Sequence, residues 1–173
     1  MFASSRLSKL YFEYATISHI QDDTFRECSS LRQIFVINFR EENTDWVSCV
    51  QNTLENEEYP KKTVYIFKGA YDLLPLYVHK KYENEKDRFF KPANVTYYYN
   101  YFGSENGGCY WIDNVEVGEK IYYIPKDPVR IVDGKNYKTF GGWYKEPECI
   151  NKWNFDTDTM PYSGEINLYA KWN

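Results

Sequence analysis

The chain repeats itself at an interval of 24 residues near its amino terminus. An apolar phrase of the form L-x-x-[LI]-aromatic-apolar begins at Leu7 and returns at Leu31. A phrase that recurs at this spacing indicates stacked repeats, in which each unit buries the apolar face of its neighbour. The pattern predicts parallel strands in neighbouring positions, with Leu10 beside Ile34 and Ile34 beside Val64, which follows 30 residues later. Such solenoids usually present binding surfaces.

Alternation along these strands predicts which side chains point away from the core. Leu10, Ile34 and Val64 are expected to face inward. The outward positions then form three columns, which are Lys9, Gln33 and Thr63, then Tyr11, Phe35 and Tyr65, then Glu13, Ile37 and Phe67. An aromatic column on an exposed sheet face is a candidate recognition surface. Two alternatives stay open, because the rings could simply stabilise the sheet or another part of the protein could cover them.

Two further segments belong to this half of the chain. Apolar residues at helical spacing predict a helix over about 43–57, and they are Trp46, Val47, Val50 and Leu54. The stretch 68–90 is interpreted as a terminal cap, because Pro75 interrupts any long helix. Its charged run, 80–88, mixes signs and is typical of a solvated face.

The residues between the two copies complete a recognisable pattern. Phe25, Cys28 and Leu31 follow one another at three-residue spacing, ahead of Ile34. Over about residues 5–40 this resembles the BspA-like leucine-rich repeats of bacterial surface proteins, and the resemblance implies repeat coils and a cap as far as about residue 90. Cys28 would then occupy a column that needs a small buried residue, which favours a core thiol. The alternative is that the four cysteines form two disulfides.

Composition shifts near residue 91, and we predict two domains, 1–91 and 92–173. The second is expected to be rich in strands, since β-branched and aromatic runs alternate with turn residues. The expected strands are 94–102, 110–112, 120–124 and 165–172, with a turn at 106–108.

The second domain carries a more specific resemblance. Its ordered phrases are Pro-Val-Arg at 128–130, Phe-Gly-Gly-Trp-Tyr at 140–144, Trp-Asn-Phe at 153–155 and Leu-Tyr-Ala-Lys-Trp at 168–172. They resemble the Listeria–Bacteroides repeat, the internalin B-repeat family, which implies a small β-grasp fold. One departure is that family members run from the arginine directly to Gly-Tyr. Here residues 131–136 intervene, and we expect them to bulge outward. The fold class predicted for the whole chain is an α/β leucine-rich-repeat solenoid fragment followed by a β-grasp (α+β) domain.

The signature residues of this domain have structural roles that follow from their chemistry. Gly141 and Gly142 permit a close approach or a positive φ. The large aromatic residues are expected to form the core of so small a domain. An alternative, that the Trp143 ring is a platform on which a sugar stacks, is disfavoured. The complete signature is Phe25, Cys28 and Leu31 in the first half and Gly141, Gly142, Trp143, Tyr144, Trp153, Phe155, Leu168, Tyr169 and Trp172 in the second.

Composition narrows the function further. A net charge of −4 argues against nucleic acid, and no apolar run of about 18 residues indicates a membrane span. The histidines, His19 and His79, lack metal-ligand spacing to the cysteines, so neither a metal site nor a cofactor is expected. No nucleophile–base arrangement or phosphate-binding loop is evident, and we do not expect an enzyme.

The expected role is therefore a non-catalytic binding or display portion of a bacterial cell-surface or secreted protein. The favoured partner is a protein or a host or bacterial surface, bound through the repeat sheet. The alternatives are a carbohydrate held on exposed Tyr and Trp rings, or a purely structural spacer. An extracellular or cell-surface location follows from the resemblance alone. Because the chain opens within a repeat and without a signal peptide, we expect it to be the tail of a longer protein.

Overall fold

The computed structural model describes residues 6–12, 24–39, 64–69, 90–134 and 137–173. Within these ranges the chain is built from β-strands and loops, with one short 3-10 turn at Asn106–Gly108. It divides into two compact units, Met1–Pro92 and Ala93–Asn173, one residue from the predicted boundary. None of the helices in the described ranges has the length and apolar character needed to cross a membrane.

The amino-terminal unit contains a four-stranded parallel sheet. Its strands, in chain order and in spatial order, are β1 (Lys9–Phe12), β2 (Gln33–Phe39), β3 (Val64–Gly69) and β4 (Phe90–Pro92). Leu10 pairs with Ile34, as the 24-residue period predicts. The short strand β4 falls inside and just beyond the segment interpreted as a cap, and it pairs with β3.

The register of β3 differs from the prediction by one residue. Ile34 pairs with Tyr65, and Val64 pairs with Gln33 instead. The backbone explains the shift, because Val64 N–H donates to the Arg32 carbonyl at 2.8 Å and aligns these two positions. A shift of one residue moves every side chain of a strand to the opposite face.

The predicted repeat core is buried. Phe25, Cys28 and Leu31 are all shielded from solvent. Tight turns join them, since Cys28 N–H donates to the Phe25 carbonyl at 3.3 Å and Leu31 N–H donates to the Cys28 carbonyl at 2.9 Å. The helix predicted over 43–57 and nearly all of the predicted cap lie outside the described residues.

The carboxy-terminal unit is organised around a mixed sheet. Its strands are β5 (Val95–Tyr98), β6 (Cys109–Asp113), β7 (Arg130–Ile131), β8 (Tyr137–Lys138), β9 (Phe140–Tyr144) and β10 (Ile166–Trp172). The spatial order is β6-β5-β10-β9, with β5 parallel to β10 and each outer strand antiparallel to its neighbour. Strands β7 and β8 form a separate two-stranded ribbon.

The α part of the predicted α+β domain is not found in the described residues of this unit. Loop residues cover the sheet in its place, since Ile121, Trp153 and Met160 join the same buried cluster as Tyr97 and Leu168. The strand predicted at 120–124 is also wrong. Ile121 is buried, and the chain beside it contacts the loop at Met160, whose N–H donates to the Glu119 carbonyl at 2.8 Å. No strand of the described unit pairs with it.

Candidate functional site

The predicted recognition column does not form an exposed face. Tyr11 stacks on Phe35 with ring centroids 4.1 Å apart, so these two rings are neighbours as predicted. Phe35, however, is fully buried, and its partner on β3 is Ile66 instead of Tyr65. Tyr65 is also buried, and its partner on β2 is Ile34. The physical reason is that a parallel sheet is normally covered on both faces, so alternation does not separate core from surface.

The remaining residues of the predicted face have mixed outcomes. Lys9 and Gln33 pair with each other and are half-buried. Glu13 and Thr63 lie outside the described residues, and only the backbone of Ile37 and Phe67 is described. The structure therefore brings together Tyr11 and Phe35, with Lys9 Nζ 5.9 Å from the centre of the Phe35 ring.

The aromatic signature of the carboxy-terminal unit forms its core. The buried Trp143 ring packs edge-on against Tyr97 at 4.8 Å and Phe140 at 5.2 Å, and stacks on Tyr110 at 5.8 Å. Trp153 and Leu168 join this buried cluster, and Phe155 and Trp172 pack against its edge. Tyr144 and Tyr169 lie opposite each other on neighbouring strands and are half-buried. The core role predicted for Trp143 fits this packing, and a sugar platform does not.

The glycine pair has the conformational role that its residue type suggests. Gly142 has φ of 110°, a conformation that other residues rarely adopt. A Cβ atom there would lie 2.5 Å from Lys152 Cε. At Gly141 the close neighbours are the side chains of Lys171 and Asn173, not aromatic rings.

Two short strands at the interruption of the family pattern pair with each other in antiparallel fashion. Arg130 pairs with Lys138, and Ile131 pairs with Tyr137. Gly134, with φ of 75°, supplies the positive backbone angle in the connecting loop. We refer to residues 129–134 and 137–138 together as the ribbon.

The polarity of strand β7 is inverted relative to an ordinary surface strand. The Arg130 guanidinium lies over the Tyr101 ring at 4.5 Å and near the Trp172 ring at 6.0 Å, so the cation faces the rest of the carboxy-terminal unit. Successive residues of a strand point to opposite faces. Ile131 and its partner Tyr137 therefore face away from the module.

The outward side of the ribbon is apolar and exposed. The exposed fractions are 63% for Val129, 54% for Ile131 and 65% for Tyr137. The surrounding segment, 120–138, has five basic and two acidic residues, although the whole chain carries a net charge of −4. No other described strand of this unit pairs with either edge of the ribbon. An apolar patch with basic neighbours and open edges is typical of a protein-binding surface.

The acidic loop at 154–158 has a structural arrangement. Asp158 accepts a hydrogen bond from Asn154 N–H at 3.1 Å and forms an ion pair with Lys145 at 3.0 Å. Burial raises the pKa of Asp158, but the Asn154 N–H and the Lys145 ammonium outweigh it and hold that pKa below its usual range. Among the described residues, no group of three or more His, Cys, Asp or Glu side chains is placed to hold a metal ion.

The ribbon was not among the predicted binding residues. Its signal in the sequence was the departure at 131–136, which we expected only to bulge outward. The hairpin pairing and the inward position of Arg130 could not be derived from the sequence, because they depend on where Tyr101 and Trp172 lie.

Comparison with known families identifies the carboxy-terminal unit. Residues 94–171 match the Listeria-Bacteroides repeat domain, which confirms the resemblance drawn from the motifs. This family is typical of bacterial surface proteins. The match does not extend into the amino-terminal unit.

Proposed function

We propose that this chain is a non-catalytic binding and display portion of a bacterial cell-surface or secreted protein. The location is supported by the family matched at residues 94–171, which is associated with surface and extracellular proteins. The absence of catalysis is inferred from the sequence, in which the two histidines are 60 residues apart and no phosphate-binding loop occurs.

In this proposal the amino-terminal unit is a stretch of BspA-like leucine-rich repeats. Three observations support that assignment: the 24-residue period, the parallel pairing of Leu10 with Ile34, and the burial of Phe25, Cys28 and Leu31. Stacked repeats form a rigid scaffold because each coil buries its neighbour. The aromatic column that was expected to bind a partner is largely buried, so we assign the binding role to a surface of the carboxy-terminal unit.

The binding surface is the outward side of the ribbon, and the partner is a protein. The observation that carries this proposal is the inverted polarity of strand β7, in which Arg130 faces the carboxy-terminal unit while Ile131 and its partner Tyr137 are exposed to solvent. An apolar pair in that position gains little from folding, whereas a partner could bury it. Tyr is also among the residues that most often dominate binding energy at interfaces.

The chemistry of the ribbon specifies the kind of partner segment. Open strand edges accept an extended peptide through backbone hydrogen bonds, with alternate side chains entering the apolar side. The basic balance of segment 120–138 favours acidic residues between the apolar ones. We therefore expect an extended segment in which apolar and acidic residues alternate.

Peptide display on the intact chain tests this proposal. Random peptides selected on the immobilised protein should be enriched in alternating apolar and acidic residues, and the affinity of an enriched peptide can be measured by fluorescence polarisation. The double variant Ile131→Asp with Tyr137→Asp should weaken binding at least about tenfold, since it removes the apolar contact and reverses the local charge.

A matched control uses two apolar residues that are exposed elsewhere in the same unit. Ile150 and Tyr162 have exposed fractions of 75% and 100%, so replacing both with Asp changes the net charge equally. The control variant should bind the selected peptide like the unmodified chain. Equal loss in both variants, or none in the ribbon variant, would reject the ribbon as the binding surface.

A further inference from the structure

A concave surface in the carboxy-terminal unit has features that the ribbon does not explain. It is a shallow depression open to solvent with a volume of about 350 Å³, which is at the small end of the range for ligand pockets. Its walls come from the end of β5, the loop after it, the loop after β9 and strand β10. No residue of the ribbon lines it.

Two tyrosines form the floor of this pocket. Tyr98 and Tyr169 are partners in the parallel pairing of β5 with β10, and their rings stack 5.3 Å apart with an angle of 16° between their planes. Their neighbours in the chain, Tyr97 and Leu168, belong to the buried core. By alternation, the two tyrosines therefore lie on the face of the sheet opposite the core.

The side walls are held in place by hydrogen bonds. Asn100, with φ of 56°, donates from its side-chain amide to the carbonyls of Pro147 at 2.9 Å and Ala170 at 3.1 Å. Ser104 Oγ donates to the Tyr101 carbonyl at 2.9 Å. The pocket is thus formed before any ligand arrives, which reduces the ordering cost of binding.

Phe102 lies at the rim with its ring fully exposed. A completely exposed phenyl ring does not stabilise the fold by burial, so folding does not account for an apolar residue at this position. Tyr101 also lines the pocket, so Phe102 and the stacked tyrosines belong to a set of four aromatic residues around it. Such an arrangement suits a ligand with an apolar face.

Polar groups and charge narrow the class of ligand. The Ser104 hydroxyl and the Tyr169 phenol both line the pocket. Ser104 Oγ already donates its proton to the Tyr101 carbonyl and can accept a hydrogen bond, whereas the Tyr169 phenol can donate or accept one. Burial, with Tyr98 and Glu148 nearby, raises the pKa of Tyr169, so its hydroxyl stays protonated. The nearby Glu148 carboxylate disfavours phosphate, sulfate and carboxylate ligands.

We propose that this pocket binds a neutral saccharide. The apolar C–H face of a sugar ring would lie against the aromatic rings, and its hydroxyl groups would bond to Ser104 and Tyr169. A volume of about 350 Å³ accommodates a small part of a glycan, not an extended polymer. This activity goes beyond the protein-binding role of the ribbon, and it uses different residues.

The test is an NMR titration of the isotope-labelled full chain with neutral trisaccharides of glucose, mannose and N-acetylglucosamine. At least one probe should shift the backbone amide signals of Phe102, Ser104 and Tyr169 in a saturable manner. Phe102→Ala should weaken that probe about tenfold, since it removes one stacking surface. Full exposure of Phe102 means that the fold should be unaffected.

Tyr162→Ala serves as the matched control, because Tyr162 is another fully exposed aromatic residue and does not line the pocket. It should leave the affinity unchanged. A sulfated disaccharide and a proline-rich peptide complete the set of probes. The proposal is overturned if no neutral trisaccharide binds, if Phe102→Ala and Tyr162→Ala behave alike, or if only the sulfated or peptide probe binds. The ribbon variant should bind the sugar normally, so the two proposals succeed or fail separately.

Discussion

The two four-stranded sheets in the described residues use aromatic and β-branched strands in different ways. In the parallel sheet of the amino-terminal unit, the neighbours Ile34 and Phe35 are both fully buried. In the mixed sheet of the carboxy-terminal unit, Leu168 is fully buried while its neighbour Tyr169 is half-buried and lines a pocket. The first sheet is covered on both faces around β2, and the second presents one face as a surface.

This difference shows when strand alternation predicts exposure. Alternation states that neighbouring side chains lie on opposite faces, and it holds in both sheets. Whether the second face meets solvent depends on what packs against it. An aromatic residue at an alternate position is therefore a candidate binding group in β10 and a core residue in β2.

The largest expected effect tests the core of the mixed sheet. Trp143→Ala should lower the free energy of unfolding of the carboxy-terminal unit by about 3–5 kcal/mol, because a buried indole in contact with three rings is removed. Amide hydrogen exchange of β10, measured in the full chain by mass spectrometry, should become much faster. Exchange in β2 is the internal control. If β10 stayed protected, Trp143 would not be central to this core.

A second pair of variants tests the comparison directly. Phe35→Ala should destabilise β2 by about 3–5 kcal/mol. Tyr169→Ala should lower the stability of β10 far less, because the Tyr169 side chain is only partly buried. Hydrogen exchange of each strand, before and after the substitution, provides the two values. If the two costs were equal, or if Phe35→Ala were harmless, the second face of the amino-terminal sheet would be open after all.

The smallest effect concerns the loops that cover the mixed sheet. Because the pKa of Asp158 is lowered in the fold, its stabilising contribution is present above its usual pKa and is lost as the pH falls through the lowered value. The contribution should be below about 1 kcal/mol, since the ion pair with Lys145 is partly exposed. Thermal unfolding as a function of pH should show slightly less acid sensitivity in Asp158→Asn than in the unmodified chain. An unchanged pH dependence would show that this carboxylate does not stabilise the loop.

Several parts of the fold could be predicted because local periodicity determines them. The 24-residue interval predicts the pairing of Leu10 with Ile34, since it places equivalent residues of the two copies side by side on neighbouring strands. The third strand follows a longer interval of 30 residues, and its register was wrong by one position. A change in the interval removes the alignment that the period provides, so hydrogen bonding between Val64 and Arg32 decides the register.

The two proposed sites differ in how visible they are in the sequence. The departure at 131–136 marks the ribbon, but not the stacking of Arg130 on Tyr101, which turns the apolar side outward. The pocket has no continuous motif at all. Its floor joins Tyr98 and Tyr169, which are adjacent only because β5 and β10 pair in parallel.

By itself, the sequence determined the 24-residue period, the burial of Phe25, Cys28 and Leu31, and the family matched at residues 94–171, because each follows from the spacing of nearby residues. The tertiary structure alone decided which faces are covered, which side of the ribbon meets solvent and where the pocket lies. Those properties depend on contacts between residues far apart in the chain, and local spacing carries no information about them.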